Sequence, residues 1–236
     1  MSFSKNIVGK GFIAKNLLKI NRSIIKSGYI IYAAGISNSQ IRSKTQLNRE
    51  INVFKKFLKT YSNRKIIYIS TADVTNNLKN KSKYVKNKII IEKIIKKNFN
   101  NYLIIRIPQI IGKSNNKKTL INFFYYMIKS NKKIKLFEGV LRNILDIGDV
   151  VKMIRTIILN KRIKKKIITL SNKYSLKPIQ IIQILEIKLG KKANYQLLKT
   201  KNQKWRLGFN QNLKYFKDAK INFDLNYLTK AINKYY

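Results

Sequence analysis

The chain has 236 residues, with 52 Lys and Arg against 9 Asp and Glu, 44 % apolar residues, and neither Cys nor His. That composition can build a core and is too apolar for a disordered chain. It excludes disulfides, thiol nucleophiles, thiolate metal sites and imidazole acid–base chemistry, so proton transfer must use Tyr, Lys, Asp, Glu or water.

Residues 5–8, "KNIV", form a short apolar run ending at Gly9, and "GFIAKNLLKI" follows with helical spacing at Phe12, Ile13, Leu17 and Leu18. "GYIIYAAG", 28–35, reads as a buried strand between glycines. "SKTQLNREINVFKKFLKTY", from Ser43, is an amphipathic helix with Leu47, Ile51, Phe54, Phe57 and Leu58 on its apolar side. "RKIIYIST" is a second buried strand, ending in Ser70 and Thr71, and a helix follows through "SKYVKNKIIIEKIIKKN", 82–98. "NYLIIRIPQIIG" is a strand broken by Pro108, "TLINFFYYMIKS" a short helix, and "ILDIGDVVKMIRTIIL" turns into a helix after Asp149. "KKIITLSN" is a strand and "SLKPIQIIQILEIKLG" a helix ending at Gly190. Residues 195–236, with Trp205, form a small lobe whose elements the pattern does not place.

Alternation of strands apolar on both faces with helices predicts a parallel sheet covered on both sides. No stretch approaches the ~18 apolar residues of a membrane span. "MSFSKNIVGKGFIAKN" has Lys and Gly where a secretory leader needs an apolar run, so a cytoplasmic location is expected. The net charge of +43 is carried mostly by Lys, in excess together with Ile, Asn and Tyr, all residues with A/T-rich codons. The basic run "NKRIKKKI", 160–167, is read as a solvated turn, and nucleic acid is not the expected partner.

Ligands of such sheets bind beyond the carboxyl ends of the strands, and three features fall there. In "VGKGFIA", Gly9, Gly11 and Ala14 give G-x-G-x-x-A between a strand and a helix, a turn that brings backbone amides to a pyrophosphate. In "YAAGIS", Ala33, Ala34 and Gly35 leave room beside a strand end for a ribose or adenine. Thr71 ends the next strand; Tyr84 follows thirteen residues later, and Lys88 lies four further on, on the same helix face. A Lys ammonium beside a phenol is expected to lower its pKa and make Tyr84 a proton carrier, with Thr71 polarising the reacting oxygen.

The ordered set "GKGFIA", "YAAG", "YIST", "YVKNK", "RIPQIIG" and "RNILDIGDVV" resembles the extended short-chain dehydrogenase/reductase family, the NAD(P)-dependent epimerases and dehydratases of nucleotide sugars, to about residue 190. The resemblance implies a Rossmann-like doubly wound parallel sheet with a small C-terminal substrate lobe. The cofactor domain is expected over 1–160, with 113–142 contributing to the lobe, and the last strand, helix and lobe over 161–236. It implies Thr71, Tyr84 and Lys88 as catalytic residues. Gly9, Gly11, Phe12, Ile13, Ala14, Ala33, Ala34, Gly35 and Pro108, with Tyr84 and Lys88, hold the cofactor. Gln109 and Arg142 meet the substrate, and no metal is expected. A reductase or epimerase of a nucleotide-linked sugar in surface polysaccharide synthesis, working as a homodimer, is the function it implies.

Three departures from the family pattern shape that expectation. The phosphate loop is one residue shorter. Between Ala14 and Tyr29 there is no room for the second and third strands, and the first acid of the chain is Glu50, so a ribose-binding carboxylate is missing. NAD(P) is therefore expected with NADP slightly preferred, Arg22 or Lys26 being available for a 2′-phosphate. Thr71-Ala72-Asp73 stands where the dehydratases have Thr-Asp-Glu, which disfavours water loss.

Overall fold

The structure is a computed structural model and describes residues 2–4, 6–76, 81–159, 165–199, 207–208 and 213–236. Trp205 and most of the basic run at 160–167 lie outside the described residues.

Five parallel strands make the main sheet, in the order β2 (Ile7–Val8), β3 (Tyr29–Tyr32), β4 (Lys65–Thr71), β5 (Tyr102–Ile107) and β9 (Lys166–Thr169). β1 (Ser2–Ser4) adds antiparallel to the outer edge of β2. β3 and β4 are buried on both faces, as their unbroken apolar runs require.

Successive side chains of these strands feed two different cores, because the pleat alternates. Ile31, Ile67, Ile69, Leu103 and Ile105 pack with α1 (Phe12–Leu17), α2 (Asn21–Ser27) and α6 (Ile147–Leu159). Ile30, Tyr32, Ile66, Tyr68 and Ile104 pack with α3 (Lys44–Tyr61) and α4 (Lys83–Asn98), through Phe54, Phe57, Ile91 and Ile95. Ser43 and Ser82 cap these last two helices, each accepting an amide of the first turn.

The chain steps from β2 to β3 and from β3 to β4 in the same direction, yet α1–α2 lie on one face and α3 on the other. The two crossovers therefore have opposite hands, and one of them runs against the strong right-handed preference. A chain that first stepped outward by two strands and then returned would keep both right-handed. Here only α1, a short 3₁₀ turn (Leu18–Ile20) and α2 lie between β2 and β3. The room that the sequence denied to two further strands is filled by helix alone.

Pro108 separates β5 from β6 (Gln109–Ile111), which leaves the main sheet and pairs with β8 (Arg142–Asp146), itself paired with β10 (Ser175–Leu176). β7 (Ile134–Phe137) pairs with β11 (Tyr195–Leu198). A third apolar cluster joins β6, β7, β8 and β10 to α5 (Leu120–Lys129), α7 (Pro178–Leu189) and α9 (Tyr227–Tyr235). α9 is tied back to the start of α6: Lys234 and Tyr235 bond the Asp146 carboxylate, and Tyr227 accepts from the Asp146 amide while donating to Asp149. Asp149 thus sits within the first turn of a helix that begins at Ile147, three residues earlier than its sequence pattern indicated, and it is held by the Tyr227 hydroxyl. α8 (Leu213–Asp218) completes the described elements.

Candidate functional site

A cavity of about 400 Å³ opens at the carboxyl ends of β2 to β5. Its walls include Gly11 from the turn after β2 with Phe12 and Ile13 from the start of α1, Ala33 and Gly35 after β3, Thr71 at the end of β4 and Asp73 after it, Tyr84 and Lys88 from α4, and Pro108 and Gln109 after β5. Most of the predicted site residues therefore meet in one place.

Four of them lie off its wall. Gly9 packs beneath: its φ is +137°, and a Cβ there would stand 2.6 Å from the Ala33 carbonyl oxygen, so only glycine fits. Ala14 is fully buried in the core under the loop. Ala34 is exposed beside the cavity. Arg142 stands behind Asp73, whose charge supports its guanidinium against burial, and its Nε is a buried donor without a hydrogen-bond partner among the described residues. Gly11, in contrast, faces open space where its Cβ would be, and α1 begins there with no side chain capping its first amides.

The stripe Tyr84–Lys88–Glu92 runs along α4 toward the strand ends. Lys88 Nζ stands 5.4 Å from the centre of the Tyr84 ring, but not as a free cation. It is 2 % exposed, and its Nζ donates to Glu50 Oε1 at 2.7 Å. Glu50, 5 % exposed on α3, also accepts from Asn87 Nδ2 at 2.7 Å and from the Ile36 amide at 3.2 Å. One turn on, Glu92 receives Arg106 Nε at 3.0 Å and Nη2 at 2.6 Å and the Ser70 hydroxyl at 2.7 Å, joining α4 to β4 and β5. Glu50, Glu92 and Arg106 were not among the residues picked from the sequence.

This pairing changes the electrostatics expected of Tyr84. Burial pushes the phenol well above the ordinary tyrosine range; the charges of Asp73 and Glu50 push it further, and a side-chain hydrogen bond with Thr71 opposes them. The expected lowering by Lys88 is not among these effects, and its ammonium is paired with Glu50. The Asp73 carboxyl is itself raised by burial, against the opposing effects of Arg142, Thr71 and Lys81. Thr71 Oγ1 accepts the Asp73 amide at 3.3 Å, which ties the turn after β4 to the hydroxyl that lines the cavity.

A parallel sheet with helices on both faces and a glycine turn, a threonine and a Tyr-x-x-x-Lys helix around one cavity at the strand ends define a Rossmann fold. Solved structures with this fold include the UDP-glucuronic acid 4-epimerase of Bacillus cereus, which is 18 % identical with a TM-score of 0.72 and covers 95 % of this chain and 78 % of its own. RMD from Pseudomonas aeruginosa gives 12 % identity and a TM-score of 0.66 over 96 % of this chain and 93 % of its own. The dTDP-glucose 4,6-dehydratase of Bacillus anthracis gives 15 % and 0.65 over 95 % and 79 %. No family model and no curated protein matches the sequence. Among the described residues, no helix is long and apolar enough to cross a membrane.

Proposed function

We propose that this chain is an NAD(P)-dependent oxidoreductase or epimerase that acts on a nucleotide-linked sugar. The convergence of Gly11–Ile13, Thr71, Tyr84 and Lys88 on one cavity carries this reading. The structural relatives are described with NAD and UDP-glucuronic acid in one case and with NADPH in another.

The walls suit a dinucleotide. Gly11 leaves open space at the helix start, and Ala33 and Gly35 present no bulk. When bound, the nicotinamide supplies hydride exchange. Tyr84 Oη would pass a proton to or from the substrate oxygen, and the Thr71 hydroxyl would orient that oxygen. Lys88, fixed beneath, would meet the cofactor ribose, and the unpartnered Nε of Arg142 calls for an acceptor such as a diphosphate oxygen. Gln109, with Ser114, Asn116 and Lys118 from the loop beyond it, lines the substrate side. The chain region 161–236, together with 113–142, would form the substrate lobe around the third apolar cluster.

With no acid near the strand end that normally meets the adenosine ribose, we infer a slight preference for NADPH. The exposed Val53 on α3 and Ile90 on α4 fit a homodimer through these two helices. A role in surface polysaccharide synthesis in the cytoplasm follows from the same reading. The alternative, a dinucleotide-binding protein without turnover, draws on the short segment between β2 and β3. Fluorescence titration with NADH and NADPH tests the proposal: micromolar binding of either supports it, and binding of neither sinks it. Tenfold tighter NADH would remove the NADPH preference alone.

A further inference from the structure

Glu50 is a buried carboxylate contributed by a helix whose remaining buried face is apolar, Leu47, Phe54 and Phe57. Its bonds are made to Lys88 Nζ and the Ile36 amide on one oxygen, both cavity residues, and to Asn87 on the other. The arrangement also depends on Gly35, because a Cβ there would stand 2.3 Å from Lys88 Nζ and 2.8 Å from Glu50 Oε1. A carboxylate is costly to bury, so an isolated one on this stripe needs such partners.

We propose that Glu50 is a positioning residue of the site: it pins the Lys88 ammonium against Gly35 and balances its charge where Lys88 meets the cavity beside Tyr84. The titratable and charged groups around Tyr84 agree. On its own helix stands Lys88, already paired; from α3 comes Glu50; from β4 and the turn after it come Tyr68 and Asp73; behind Asp73 stand Lys81 and Arg142. The two anions that act on Tyr84 both favour the protonated phenol, and burial acts the same way.

Resting on the function proposed above, Tyr84 would give its proton to a substrate carbonyl oxygen and regain one from solvent, while a reduced nicotinamide dinucleotide, when bound, would supply the hydride.

The test uses the full chain with 3-fluorotyrosine at position 84, its fluorine resonance followed against pH without cofactor or substrate. In the folded protein the midpoint is expected above that of the same label in the urea-unfolded chain; a midpoint at or below it overturns the proposal. Glu50→Gln, which keeps shape and hydrogen bonding, is expected to lower the folded midpoint by about one unit, tenfold in the phenolate equilibrium, because a neighbouring anion is lost and a cation is released. Glu50→Asp, which retains the charge, should stay nearer the parent. A purely structural Glu50 would lower thermal stability and leave the fluorine titration in place, and that result in folded Glu50→Gln also overturns the proposal. Should Glu50→Gln fail to fold, Lys88→Met decides: with Glu50 left as an unbalanced anion the midpoint is expected to rise, and an unchanged midpoint overturns the proposal. Failure of dinucleotide binding would sink the functional reading and leave this inference standing, since neither ligand enters the measurement.

Discussion

Arg106→Met tests how strongly α4 is held to the strand ends. The Glu92 carboxylate is 4 % exposed and the Arg106 side chain 16 %, and two charge-assisted bonds of 3.0 and 2.6 Å join them. Methionine conserves much of the aliphatic volume but leaves Glu92 with the Ser70 hydroxyl alone. Each bond to a charged group is worth about 1.5–3 kcal/mol, and breaking a buried pair from one side costs about 3–5 kcal/mol, chiefly because the surviving charge is stranded. At about 2–4 °C per kcal/mol for a chain of this size, the melting temperature should fall by roughly 6–20 °C. Removing both charges, as Glu92→Leu with Arg106→Met, should recover most of that loss. Thermal melts followed by circular dichroism measure both variants. A single-variant loss below about 1 kcal/mol, or a double variant no more stable than the single, would refute the reasoning.

Tyr84→Phe should retain fold and dinucleotide affinity while turnover falls by roughly 10²–10⁴, the usual worth of a general acid–base group; full turnover on a nucleotide-sugar substrate would end the catalytic reading. Gly35→Ala should cost about 1–3 kcal/mol by overpacking, because the new methyl lands 2.3 Å from Lys88 Nζ; a melting temperature equal to the parent's would show that Lys88 has room to move. Lys88→Ala should weaken dinucleotide binding and also destabilise the fold, since it strands Glu50; fluorescence titration and a melt on the same sample separate the two effects. Light scattering at micromolar concentration should give twice the chain mass, and a monomer would remove the α3–α4 dimer.

The main sheet was legible because its strands are apolar on both faces: "YIIY" and "IIYIS" have no polar alternation to disguise them. The lobe was not. β10 has two residues, β7 and β11 have four each, and each is stabilised by a partner far along the chain, Ile134 by Tyr195 and Asn143 by Ser175. At the site, the glycine turn and the Tyr-x-x-x-Lys spacing could be read directly, because they follow the local period of a loop and a helix. The Glu50–Lys88 pair could not, being a contact between residues 38 apart. A usable signal was present all the same. Glu50 falls on the buried stripe Leu47–Phe54–Phe57, and Glu92 falls beside Ile91 and Ile95. In a chain with only nine acids, a carboxylate on an apolar helix face has to find a buried cation.

The sequential order of the main sheet has a consequence for how the protein is made. Ile7 pairs with Ile31, Ile31 with Ile67 and Ile67 with Leu103, each strand finding the one synthesised just before it. In a doubly wound sheet that grows outward and then turns back, the central strand must wait for a partner beyond two others. Here no partner is skipped until β9, where Leu103 meets Lys166 after the excursion through the second lobe. The sheet can therefore be laid down from one edge as the chain leaves the ribosome, with modest loop closures at each step. The last closure brings β9 beside β5 and so waits for β6, α5, β7, β8 and α6 to emerge, which leaves the β5 edge open longest during synthesis.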